Sequence, residues 1–267
     1  MNFLAKLSNQ NLLNDVNLER TIIMSNMRIV GILVLTLVLI SCKKKNIKEN
    51  ETIVPFDFLS GQTYKSLTID LVFVEGFEPN STAIANLEVF LEQRLNKPEG
   101  ISIIQRGITS PEEETYSVQE IEAIEKDKRK NYTKKEELAA FIFYADADYV
   151  ESGEDSKVLG IKYGPSSVAL FKSSIDQFSG GIGQVSEVKL ETTVLKHEFG
   201  HLMGLVNIGT DLVNTHEDSD HSGHCDNPDC LMYYATENSS FAELLLGEDI
   251  PDLDEQCIQD LQANGGK

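Results

Sequence analysis

His197, Glu198 and His201 are the residues of this 267-residue chain whose types and spacing best suit chemistry. On an α-helix each residue advances by about 100°, so positions four apart share a face and both rings can reach one metal ion. Glu198 then stands beside the ion rather than on it. There it can take a proton from a zinc-bound water whose pKa the metal has lowered to about 7. This is the HExxH spacing of zinc hydrolases. A catalytic zinc has three protein ligands and one open position, so a third donor must come from further along. All five histidines lie between 197 and 224, a clustering that favours a metal over ordinary polar helix residues.

The element that must carry the motif is a helix over 187–203. Val188, Leu190, Val194, Leu195, Phe199 and Leu202 recur mostly at intervals of three or four, the pattern of a buried face. Ser186 suits the N-cap, Glu187 and Glu191 suit the early turns, and Gly204 suits a C-terminal turn of positive φ. Upstream, 67–74, 101–104, 138–144, 158–163 and 167–171 have the β-branched or apolar runs of strands. Helical spacing runs over 81–96 and 111–131, and a last helix follows Pro251 through Leu253, Ile258 and Leu261. Strands and helices alternate, which gives an α/β class with a mixed sheet in one domain of ordinary size.

After Gly204-Leu205 and an insertion over 206–223, the chain reads His224-Cys225, four residues, then Cys230-Leu231-Met232. This resembles the archaemetzincins, metzincin-type zinc metalloproteases in which HExxHxxGL leads almost directly to a histidine, Cys-x4-Cys and a methionine. The resemblance is specific from 197 to 234 and only architectural before that. It implies a metzincin-like zincin fold, α/β in the broad α+β sense: a twisted mixed sheet with helices to about residue 204, then a small irregular C-terminal subdomain over 205–267. It implies Zn2+ held by His197, His201 and His224, with His221 and His216 as competitors for the third place. In the commoner metzincin spacing the third ligand would fall at Asn207, a weak neutral donor. Met232 would lie in the tight turn beneath the metal, Gly204 would turn the chain, and Tyr234 would stand near the zinc to stabilise the tetrahedral intermediate. An edge strand within 158–171 would hold an extended peptide. The family's downstream Cys-x2-Cys, part of a second zinc site, is absent, so a second metal is not expected.

The activity so implied is hydrolysis of peptide bonds in a peptide or protein substrate, with Glu198 as general base. Two rivals remain at this stage. A gluzincin-type peptidase would take Glu217 as third ligand, although Gly204, Asn207 and Gly209 break the helix early for that. A catalytically inactive surface binding or adhesion protein would explain Asn207 and the insertion, but has no use for Glu198. The acidic stretch 216–221 lacks EF-hand spacing and reads as a solvated loop rather than a calcium site.

Met27-Arg28 precedes a twelve-residue largely apolar run over 29–40, the length of a signal-peptide core and short of the ~20 residues that span a bilayer. Leu39-Ile40-Ser41-Cys42 resembles the lipobox of bacterial lipoproteins, which implies a lipid on Cys42. The expected organisation is an extension over 1–26 preceding a start at Met27, a signal peptide over 27–41, a lipidated cysteine with flexible tether over 42–55, and the metallopeptidase domain over 56–267. The protein would be exported and anchored to a bacterial membrane on its periplasmic or cell-surface face, as a monomer. The formal charge of −20 argues against nucleic acid as a partner. Export leaves Cys225, Cys230 and Cys257 in an oxidising compartment, so one disulfide and one free thiol are expected, with the pairing open. Three thiols alone make a structural zinc there unexpected.

Overall fold

The computed structural model describes residues 52–154, 156–247 and 249–267, and Thr52–Lys267 form one compact unit. The signal peptide, the lipidation at Cys42 and the extension over 1–26 lie outside the described residues. Residues 52–55, expected at the end of the tether, belong to the compact unit, with Pro55 opening the short helix α1 (Pro55–Leu59). Among the described residues no helix is long and apolar enough to cross a membrane.

Five strands form the main sheet. β1 (Ser66–Val74), β2 (Ile101–Ile108), β4 (Glu137–Ala145) and β7 (Ser167–Phe171) run parallel, and β6 (Gly160–Lys162) pairs antiparallel with β7 at one edge, giving the order β2-β1-β4-β7-β6. A parallel pair cannot be joined by a tight turn, so helices cross from β1 to β2 and from β2 to β4, while a longer connection without a helix leads from β4 to β7, and helices cover both faces. That is why 138–145 are buried without alternation. Leu138, Ala140, Ile142 and Tyr144 point into one core cluster, while Phe141, Phe143 and Ala145 point into another on the opposite face. The first core is roofed by α2 (Ser81–Arg94) and α5 (Glu187–Leu202), the second by α3 (Val118–Lys128). The two-residue strands β3 (Thr115–Tyr116) and β5 (Asp148–Tyr149) pair beside the second core, and α4 (Lys172–Phe178) follows β7 directly.

Three boundaries differ from the sequence expectation. The helix expected over 111–131 begins at Val118, because Ser117 and Glu120 form a capping box and Thr115–Tyr116 before it are drawn into β3. The strand at 101–104 continues to Ile108, paired with β1 over its whole length. The strand at 158–163 is a full sheet partner only over Gly160–Lys162, since Val158 bridges instead to Asn238.

After α5 the chain has little regular structure. It comprises the insertion, a 3-10 turn (Tyr234–Glu237), α6 (Phe241–Leu244) and α7 (Glu255–Ala263). The buried Lys97 ammonium fastens α1 by donating to the carbonyls of Asp57, Ser60 and Tyr64 at 2.6–2.9 Å. Pro55 thereby presses on the turn that ends α5. A Cβ on Gly204, whose φ is +75°, would lie 2.6 Å from that ring.

Candidate metal centre

α5 is set by its ends and by one buried carboxylate. The Ser186 side chain accepts from the Lys189 amide, a cap worth about 1 kcal/mol. Glu191, fully buried one turn later, accepts from the Asn80 amide at 2.7 Å and from the Tyr144 hydroxyl at 3.2 Å, and faces Lys172 at 3.4 Å. The helix is thus tied to α2, β4 and α4 at once. Burial pushes the Glu191 carboxyl up to about 7 despite these partners. At the other end, a Cβ on Gly200 would lie 2.2 Å from Met232 Sδ, so glycine is what lets the methionine pack beneath the helix between the two histidines.

On the buried face of α5, His197 and His201 bring their Nε2 atoms within 3.0 Å of each other. His197 Nδ1 donates to the Leu231 carbonyl at 2.7 Å, which fixes the tautomer and leaves the Nε2 lone pair free to ligate. His224 closes the group: its ring centroid is 5.4 Å from that of His197 and 5.1 Å from that of His201. The insertion over 206–223 therefore loops out and returns His224 to the helix. A fourth donor, Glu237, lies at the end of the 3-10 turn with Oε1 3.0 Å from His201 Nε2. One donor atom from each of these four residues lies within 4.8 Å of every other.

The residues fit a metal. His201 Nδ1 and both nitrogens of His224 are buried without a hydrogen bond, as are both oxygens of Glu198. An unpaired buried polar atom is costly, and a cation among the converging Nε2 atoms of the three rings would offset that cost at His224 Nε2. Burial lowers the His201 pKa to about 4, so the ring is a neutral ligand at ordinary pH. Burial, reinforced by the Glu237 carboxylate, pushes Glu198 well above the usual carboxylate range.

Glu198 also explains a glycine. A Cβ on Gly160, the first residue of β6, would fall 2.7 Å from Val194 Cγ1 and 2.8 Å from Glu198 Oε1. Gly160→Ala is expected to destabilise the fold by about 1–3 kcal/mol through overpacking. Denaturant titration measures this, and an unchanged midpoint would show that α5 has room to shift.

The other expected site residues are not among these four donors and make contacts of their own. Asn207 donates to Glu217 Oε2 at 2.8 Å, and Glu217 Oε1 accepts from Ser222 Oγ and the Gly223 amide, so this pair braces the insertion instead of supplying a third ligand. His221 pairs with Asp218 at 2.7 Å and stacks on the Tyr234 ring with centroids 3.6 Å apart. Tyr234 is thus engaged with the insertion loop.

His216 is buried in a second cluster with Cys225, Cys257 and Asp254, again with donor atoms within 4.8 Å of one another. The expected disulfide does not form. Cys225, Cys230 and Cys257 are free and buried, with Cys230 Sγ 3.7 Å from Cys257 Sγ against about 2.05 Å for a bonded pair. The thiols instead gather around His216, whose Nδ1 lies 3.4 Å from Cys225 Sγ and whose Nε2 donates to the buried Asp260 at 2.7 Å. Backbone amides of Met232 and Asp254 donate to Cys230 Sγ. His216, Cys225, Cys257 and Asp254, with Cys230 Sγ 3.7 Å from Cys257 Sγ, offer donors of the closed, structural zinc kind. A thiol count does not reveal His216, which stands nine residues before the first of these thiols.

Among solved structures, the chain is similar to the crystal structure of archaemetzincin from Methanopyrus kandleri, at 17% identity over 75% of this chain and 96% of that one, with a TM-score of 0.48. It is also similar to that of a zinc-dependent peptidase from Methanocorpusculum labreanum, at 18% identity over 72% of this chain and 99% of that one, with a TM-score of 0.43. No family model and no curated protein matches the chain.

Proposed function

We propose that the chain is a zinc-dependent endopeptidase of metzincin type, with the ion held by His197, His201 and His224. The observation that carries this reading is the convergence of three imidazoles beside the buried and unpaired carboxylate of Glu198. Zinc, when bound there, supplies a Lewis acid for the scissile carbonyl and acidifies water. The protein's own groups do the rest. The Leu231 carbonyl orients His197, and Met232 packs beneath the helix at Gly200. Glu198 accepts the proton of the attacking water on a carboxylate oxygen and passes it to the leaving amine. The edge strand β6 can take an extended peptide by main-chain pairing. The acidic charge favours substrates that are not themselves acidic.

His216, Cys225, Cys230 and Cys257 form the structural counterpart, a zinc that fastens the insertion to α7. Export and a lipid anchor on Cys42 complete the reading, supported by the apolar run over 29–40 and the residues that follow it. A monomer is the proposed state. Zinc content and cleavage of a mixed peptide library with and without chelator test the function. The expected result is zinc-loaded protein whose cleavage stops on chelation, and a zinc-loaded chain that cleaves no peptide would overturn the reading.

A further inference from the structure

The geometry points to a fourth protein ligand: Glu237 Oε1 closes the coordination of the ion held by His197, His201 and His224, and residues 237–239 occupy the sheet edge beside it. This rests on the metallopeptidase reading and adds to it the state of the resting site.

Glu237 Oε1 lies 3.0 Å from His201 Nε2, 3.2 Å from His224 Nε2 and 3.6 Å from His197 Nε2, and the His197 and His201 nitrogens are 3.0 Å apart. Donors about 2.0–2.1 Å from a tetrahedral zinc are separated by about 3.3 Å. Four of the six donor–donor distances thus have the edge lengths of a single coordination tetrahedron and the other two lie within 4.8 Å, with the carboxylate oxygen at the corner that a catalytic site leaves to water. Hydrogen bonding accounts for the His201 contact but not for the other two. His197 carries its proton on Nδ1, toward Leu231, so its Nε2 faces the oxygen with a lone pair, and His224 Nε2 makes no hydrogen bond despite its 3.2 Å approach. A cation between lone pairs resolves both contacts.

The main chain delivers this carboxylate in the manner of a peptide on a sheet. The Leu159 amide donates to the Glu237 carbonyl and the Ser239 amide to the Lys157 carbonyl, both at 2.8 Å, with Val158 bridging antiparallel to Asn238. The Lys157 amide in turn donates to Ser239 Oγ at 2.9 Å. The stretch leading into β6 is therefore already paired by the chain's own 237–239, immediately before Gly160 packs on Glu198. An extended substrate reaching Glu198 along this edge has to displace them. The Glu237 side chain is 35% exposed where those of His197 and His201 are 0% and 7%, so it lies at the mouth and can swing outward while the imidazoles stay. Three ligands define an open catalytic zinc and four a closed one, so Glu237 gives the site a latched state and an open state.

The test uses wild type, E237A, the isosteric E237Q and H201A as full-length proteins. Zinc affinity is measured by competition with a chromophoric chelator. Binding of acetohydroxamate, which needs an open position, is measured by calorimetry, and circular dichroism confirms that each variant is folded. Both Glu237 variants are expected to hold zinc about ten-fold or more weaker at this centre and to bind acetohydroxamate about ten-fold or more tighter than wild type. Unchanged zinc and acetohydroxamate affinities in folded E237Q would overturn the fourth ligand while leaving the function standing, provided that H201A has lost an ion. An H201A protein that keeps the zinc content of wild type would overturn both.

Discussion

Replacing Glu198 by glutamine is expected to lower peptide cleavage by about 10²–10⁴-fold or more, the range that a positioned general base contributes, while zinc content stays as in wild type. The substitution suits the site unusually well. Both carboxylate oxygens are buried without a hydrogen-bond partner, so the amide breaks no bond that the acid makes. It is also nearly the same size, which matters where Gly160 and Val194 leave no space for an extra atom. Glu198 does not belong to the group of donor atoms that His197, His201, His224 and Glu237 form, so metal binding is separable from proton transfer. Single-turnover cleavage together with metal analysis of the same preparation makes the measurement. Retained cleavage in a preparation free of other proteases would remove Glu198 from the chemistry.

The second large effect concerns stability. Cys257→Ser is expected to lose one zinc per chain and to cost about 4 kcal/mol, the scale on which loss of a metal acts. For a domain of this size that is a fall in Tm of about 8–16 °C. The cluster has this leverage because it joins parts of the chain with little regular structure of their own. His216 reaches Asp260 and the Val213 amide donates to the same carboxylate, while Asp254 caps α7 by accepting from the Cys257 amide. With the ion gone, a buried imidazole and three buried thiols remain with few partners. Calorimetric scans with and without chelator provide the check. A Cys257→Ser protein that melts with wild type, at equal zinc content, would show that the thiols only fill space.

The sheet and α5 were legible from the residues because burial leaves a period in the sequence. Unbroken apolar runs gave β4 and β7, and recurrences of three and four gave α2 and α5. The capping box at Ser117 was legible in principle. The acidic stretch before it masks the signal, because it also suits a first helical turn. The grouping of His224 with the α5 histidines was expected through a family resemblance, since an insertion over 206–223 erases any local spacing rule. Glu237 and Asp260 carried no signal at all. They lie 36 residues from His201 and 44 from His216, and only the tertiary path of the chain brings them in. Cys257 was visible as a thiol, but oxidation was the simplest use for it until His216 turned inward to join it.

The route by which His224 reaches α5 has a consequence in time. The segment that carries it is secured through Asp252, Asp254 and Asp260 and by the Asn264 side chain on the Asp211 carbonyl, all in or next to α7. A ribosome releases the α5 histidines well before those anchors, so for that interval the nascent protein owns only a two-point grip on an ion. Full coordination has to wait until the closing helix docks. On the proposed peptidase reading, an unfinished chain lacks its third imidazole and with it the means to cut polypeptides.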